Sequence, residues 1–193
     1  MTARDRLFAA ARELFESEGL EGLSIREVGR RAGMSAMAIY RHFPDKEALV
    51  DALMDDGFQA WETIALAIDA DDPVAWLRAL IGAYRDFALE QPHKFDATFL
   101  LPARKARTFP EDADRSPVFG RIMARVEAAQ AQGRMRPAAS LDVALLLSAL
   151  AQGLVSMQRA RRFGSEAQFR ASYDATMAQA FESLLTNQTA GVG

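Results

Sequence analysis

Residues 24–43 read SIREVGRRAGMSAMAIYRHF, and this stretch decides the fold. Ser24 and Glu27 have the spacing of a capping box, in which the hydroxyl takes the amide of Glu27 and the carboxylate reaches back. Ile25, Val28 and Ala32 then share one helical face, and Gly33 supplies the left-handed turn that closes so short a helix. Ser35 caps a further short helix over 36–42. Two short helices joined by a tight turn form a helix-turn-helix, whose second helix enters the major groove of DNA.

Side-chain placement on the second helix agrees with that use. Ile39 and Phe43 lie four apart and turn inward, which leaves Ser35, Ala36, Met37, Tyr40 and Arg41 on the outer arc. A phenol and a guanidinium suit phosphate contact, small side chains allow close approach to base edges, and Met37 suits apolar contact with a thymine methyl. The helix starts at Ser24 and Asp45 offer free amides to phosphates. From Arg26 to Lys46 five basic residues meet two acidic ones, a local balance of +3, although the whole chain of 193 residues carries −3. The overall charge excludes a protein that coats nucleic acid or anionic membrane by charge alone; the local surplus favours DNA.

Outward from this stretch the helical period continues, with no strand-like alternation to compete with it. A helix over 3–17 places Leu7, Ala10, Ala11, Leu14 and Phe15 on one face and ends at Gly19. Pro44-Asp45 separates the helix-turn-helix from a long helix over 46–68, and residues 69–73 form the next break. Further helices are expected over 74–90, 93–101, 117–132, 141–163 and 166–185, with an exposed loop over 102–116. The expected fold is therefore all-α. A three-helix domain over 1–48, with its motif at 24–43, joins a helical bundle over 49–187, and residues 188–193 form a tail.

Half of the residues are apolar, enough for a sizeable core, and the absence of cysteine excludes a disulfide framework, a thiolate nucleophile and a zinc finger. Arg12 and Glu13 interrupt the apolar run near the start, so no secretory core forms. The longest uncharged stretch, Val143 to Gln158, falls short of the roughly 20 residues of a membrane span. A soluble, cytoplasmic protein with no membrane partner is expected.

The chain resembles the TetR/AcrR family of bacterial transcriptional regulators. The resemblance rests on linked motifs: Gly22-Leu23-Ser24-Ile25-Arg26-Glu27-Val28, Ala32-Gly33-Met34-Ser35, Ile39-Tyr40-Arg41-His42-Phe43 and Asp45-Lys46-Glu47-Ala48-Leu49. It implies DNA-backbone contact by Ser24, Tyr40, His42 and Lys46, and places Arg26, Ser35, Ala36 and Met37 near bases or adjacent phosphates. Where the family often has Gly-Thr, this chain has Met37-Ala38, so a threonine contact is missing. Residues 83–92, AYRDFALEQP, followed by Phe95 and Phe99, resemble the family's C-terminal domain type known by a Trp-His-Gly motif. Ala151-Gln152-Gly153 stands at the later motif position and makes the match partial. The resemblance implies an all-helical domain for ligand binding and dimerisation.

In that second region Trp61, Trp76, Tyr84, Phe87, Phe95, Phe99, Phe119 and Met123 are spaced as inward residues, and each serves either core or cavity wall. Trp61, Tyr84, Phe87, Phe95, Phe99, Met123 and Gln152 are the candidates to line a site for a small, largely apolar ligand. The run Val143 to Ala151 is apolar nearly all round, which fits either a central core helix or a helix shared with a second subunit. Leu146, Leu147, Leu150 and Leu154, with Tyr173, Met177 and Phe181 of the last helix, are the candidates for a two-fold homodimer interface.

These readings lead to a homodimeric regulator that binds a palindromic operator in double-stranded DNA, a repressor released by a small molecule. A helical protein-interaction scaffold is the alternative. A small helical enzyme fits less well, since His42 and His93 are the sole histidines and no glycine-rich phosphate loop is present. No catalytic residue, metal ligand or cofactor is expected.

Overall fold

The computed structural model describes residues 2–100 and 116–186. The expected loop over 102–116 lies outside the described residues except for Ser116, as does the tail. Among the described residues the helical elements are α1 Ala3–Gly22, α2 Ile25–Ala32, α3 Ala36–Tyr40, α4 Lys46–Leu66, α5 Pro73–Glu90, α6 Pro92–Phe95, a π-helical turn Asp96–Leu100, α7 Pro117–Ala131, α8 Ser140–Arg159 and α9 Glu166–Leu184, and one isolated β-bridge joins Met135 to Leu185. The described residues form two compact units, one of residues up to 61 with 87–100, the other of 62–86 with 116–186. The division between the units falls within α4, between Trp61 and Glu62.

In the first unit α1 begins with a reciprocal cap. The Thr2 hydroxyl accepts the Asp5 amide at 3.1 Å, and the Thr2 amide donates to the Asp5 carboxylate at 2.7 Å. Leu7, Ala10, Ala11, Leu14 and Phe15 are buried, as their spacing requires. As expected, the helical backbone breaks at Gly19, which takes a non-helical positive φ of 68°, and a further short turn runs to Gly22, closed by the Leu23 amide on the Leu20 carbonyl. Ser24 caps α2 by accepting the Glu27 amide at 3.2 Å. The returning half of the box is replaced, because the Glu27 carboxylate instead accepts from Arg30 at 2.8 Å and from Arg31 at 3.2 Å. Two guanidiniums outcompete one backbone amide for a carboxylate, since charge-assisted hydrogen bonds are the stronger class.

Gly33 takes the left-handed conformation (φ 65°) that turns the chain from α2 towards α3, where a side chain would be strained. Ser35 caps α3, accepting the Ala38 amide, and α3 ends at Tyr40, earlier than its expected end. Ile39 and Phe43 are buried with Leu23, Val28, Leu49 and Leu53 in one cluster fed by α1, α2 and α4. Each such side chain stabilises the fold by about 1.5–3 kcal/mol. The Arg4 guanidinium stacks over the Phe43 ring at 5.5 Å.

The segment after α5 packs back on α1 and α4. Asp56 of α4 pairs with Arg12 of α1 at 2.9 Å and faces Lys94 of α6 at 4.0 Å. His93 is half-buried and meets the Phe15 ring edge-on at 6.0 Å. Thr98 in the π-helical turn is buried and donates to the Lys94 carbonyl at 2.7 Å. It lies so near Gly57 that a Cβ there would collide with its Oγ1.

In the second unit Trp76, Leu77 and Leu80 of α5 are buried, together with the inward residues of α7, α8 and α9. Arg121 and Arg125 lie against the Trp76 ring at 5.5 and 5.6 Å, and Arg78 stacks on Phe181 at 4.5 Å. The buried Tyr173 hydroxyl donates to the Ile81 carbonyl at 2.9 Å. Burial pushes the Tyr84 and Tyr173 phenols up, so both stay neutral. Burial also works to raise Asp86, but hydrogen bonds from Arg85 and Arg170 outweigh it and hold its carboxyl below the ordinary value. Helix α8, with Asp142 and Arg159 at its ends, is long and apolar enough by length and composition alone to cross a membrane (mean hydropathy 1.6), and Val143, Ala144, Leu147, Ala151 and Val155 are its buried residues.

Two outcomes follow from this packing. Gly57→Ala should destabilise the protein by about 1–3 kcal/mol, as overpacking does. Adding Thr98→Ala should recover part of that loss in a double-mutant cycle of denaturant midpoints. Glu27 is held at about 2, below its ordinary 4.5, by the hydrogen bonds from Arg30 and then Arg31. A lowered folded-state value means stabilisation that is present above pH 4.5 and lost as pH falls towards 2. Denaturation series across that window should show a shallower acid loss for Glu27→Gln than for the parent.

Candidate nucleic-acid interface

With Ile39 and Phe43 turned inward, helical geometry sends the rest of residues 35–42 towards solvent. Ser35, Met37, Tyr40, Arg41 and His42 are all exposed, Met37 at 72% and Tyr40 at 51% of their surfaces. The side chain of Ala36 lies outside what the structure describes. Ser24 and Arg26 are exposed at the start of α2. Lys46, at the start of α4, is exposed and donates to the Leu20 carbonyl at 3.2 Å, four residues ahead of the Ser24 cap. The structure thus gathers the nine candidate positions into one unit around three helix starts.

The electrostatics of the face are partly internal. Glu27 engages both Arg30 and Arg31, and Arg31 also reaches Glu18. Lys46 bonds a neutral carbonyl, so its charge is not cancelled there. Arg26 near the start of α2 and Arg41 just after α3 are exposed and contribute further cations in the same unit. The amide-rich start of α2 adds its own positive potential. Exposed hydroxyl, phenol and guanidinium groups around an apolar tip are chemistry for phosphates at the edge and bases at the centre. Arg4 was missed by the sequence reading. Its cation beside Phe43 is signalled by the same i, i+3, i+7 register that carries Leu7 and Ala11 inward.

The ligand candidates divide. Trp61, Phe87, Phe95 and Phe99 meet in the first unit, with ring centroids 5.9 Å apart for Trp61–Phe87, 6.1 Å for Trp61–Phe99 and 5.0 Å for Phe95–Phe99. Phe58 joins them, edge-on to Phe99 at 5.9 Å. Tyr84, Met123 and Gln152 belong to the second unit. A pocket of about 210 Å³ in that unit is lined by Arg78, Ile81, Tyr173, Met177 and Phe181 among others, and by none of the ligand candidates. No group of three or more potential metal ligands occurs among the described residues.

The dimer candidates divide as well. Leu147, Tyr173, Met177 and Phe181 are buried within the chain itself. Leu146 is 47% exposed and Leu150 and Leu154 are half-buried, with Met157 (47%) one turn further along α8. Ala149 and Gly153 are exposed between them, so these residues form one apolar stripe at helical spacing.

Comparison with known proteins agrees with this architecture. Residues 7–53 match the family described as bacterial regulatory proteins, tetR family, and residues 77–180 match the tetracyclin repressor-like C-terminal domain. The HTH-type transcriptional repressor AcnR of Corynebacterium diphtheriae is 30% identical over 148 residues, 72% of each chain. The tetracycline repressor protein class C of Escherichia coli is 37% identical over 93 residues, 44% of this chain and 42% of that protein. The chain spans about half or less of the length of the first curated relatives it matches. A solved structure of a protein with unknown function from Rhodococcus sp. RHA1 superposes with a TM-score of 0.78 at 25% identity, covering 96% of this chain and 97% of that one. With its helix-turn-helix and its C-terminal helices each matched at their own positions, the chain belongs to the tetR family of bacterial regulatory proteins.

Proposed function

We propose that this chain is a homodimeric, sequence-specific DNA-binding transcriptional regulator of the cytoplasm, acting as a repressor on a palindromic operator. The observation that carries the reading is the sorting of residues 35–43. Ile39 and Phe43 are buried, and Ser35, Met37, Tyr40, Arg41 and His42 are exposed beside Lys46 and Arg26. Such sorting offers a groove-sized helix with phosphate-binding groups at its margins. Matches to named repressors support the negative sign of regulation.

The apolar stripe of α8 supports self-association. Leu146, Leu150, Leu154 and Met157 form a continuous apolar stripe along one helix, with Leu146 and Met157 each 47% exposed. A second copy across a two-fold axis covers it with the same residues. Two α3 helices then meet successive major grooves, which is why the operator is read as a palindrome. A small, largely apolar molecule entering the Trp61–Phe87–Phe95–Phe99 cluster releases DNA to the extent that it favours one dimer geometry over the other. Its entry is readable as a change of intrinsic fluorescence that Trp61→Phe abolishes; a change that survives Trp61→Phe places the ligand elsewhere.

Selection of bound sites from random duplexes by the purified protein should return a palindromic consensus. A well-folded dimer without sequence preference would refute the reading. On the selected site, Tyr40→Phe with Lys46→Ala should weaken binding to all sequences and reduce the salt slope by about one, for the lost lysine–phosphate contact. An unchanged slope, with folding intact, removes Lys46 from the interface. Leu150→Glu with Leu154→Glu should shift sedimentation to the monomer and weaken operator binding together.

A further inference from the structure

We propose that Met37 reads the C5-methyl group of a pyrimidine in the major groove, one in each half-site, as the main base-specific contact made from α3. The proposal rests on the DNA-binding reading above and adds which chemical group on the DNA is read.

Met37 is the most exposed large apolar side chain among the described residues. It contributes nothing to the cluster that holds Ile39 and Phe43, so its exposure is not a by-product of packing. The composition of the helix sharpens its meaning. Residues 35–40 read SAMAIY and contain no Arg, Lys, Asn, Gln, Asp or Glu, the side chains that pair with base edges through two hydrogen bonds or a charge. The Ser35 hydroxyl can donate or accept and so discriminates poorly. Discrimination from this helix falls to an apolar tip, and the apolar group that a base pair presents in the major groove is the C5-methyl. The unbranched thioether chain of methionine adapts to such a contact better than a branched side chain. Around it, exposed Arg26, Arg41 and Lys46 supply the charges that hold phosphates while the tip reaches the bases.

A C5-methyl comes from thymine or from 5-methylcytosine, and both carry it at the same place on the groove edge. The test uses the full chain and the operator obtained by selection. Thymines are replaced one at a time by deoxyuridine, which lacks only the methyl. The parent protein should lose roughly 3- to 5-fold in affinity at one symmetry-related position, the scale of one methyl-sized group buried. Met37→Ala should bind the thymine and deoxyuridine duplexes equally while keeping the parent's salt slope, since no phosphate contact is removed. At the same position a 5-methylcytosine·guanine pair should bind more tightly than cytosine·guanine. No gain there limits the contact to thymine. If every deoxyuridine substitution leaves affinity unchanged, or Met37→Ala keeps the parent's discrimination, the proposal is overturned while the regulator reading stands. If selection returns no consensus, the regulator reading itself fails.

Discussion

Everything at the candidate interface depends on the burial of two side chains, Ile39 and Phe43, four residues apart on and just beyond a helix of five residues. So short a helix has almost no stability of its own, because nucleation costs more than a single turn returns. Its position is set by the apolar cluster beneath it and by the caps on either side. Once the two side chains are inside, the directions of Ser35, Met37, Tyr40 and Arg41 follow from helical geometry without further adjustment. Loss of either anchor would therefore disperse the exposed face as a whole.

Charge is arranged more economically than the sequence count suggests. Glu27 sits among Arg30 and Arg31 and satisfies part of their charge within the unit, while Lys46 donates to the Leu20 carbonyl near the end of α1. The first arrangement restrains the basic side chains; the second leaves an ammonium without a carboxylate partner. A face built this way keeps a positive rim without becoming a diffuse cation, in keeping with a chain that is slightly acidic overall.

Local chemistry was legible in the sequence, and long-range chemistry was not. Caps at Ser24 and Ser35, the turn at Gly33 and the inward faces of α1 and α3 depend on neighbours within a few residues, and the structure holds each of them. The reach-back of Glu27 failed because the competing guanidiniums lie on the solvent side of the same helix, a choice that spacing alone leaves open. His93 against Phe15, and Asp56 between Arg12 and Lys94, join segments separated by tens of residues and leave no periodic trace. In the last two helices periodicity identified apolar faces correctly but could not say which face the chain itself covers. Tyr173, Met177 and Phe181 are covered from within, whereas Leu146 and Met157 are not.

The start of α1 has a practical bearing. Thr2 caps the helix, and two residues later the Arg4 guanidinium rests on the ring of Phe43, the anchor at the end of the exposed face. Any segment fused ahead of Thr2 would leave the fold beside that face. Affinity tags and fluorophores belong at the opposite terminus, since a label at this one would report on its own obstruction.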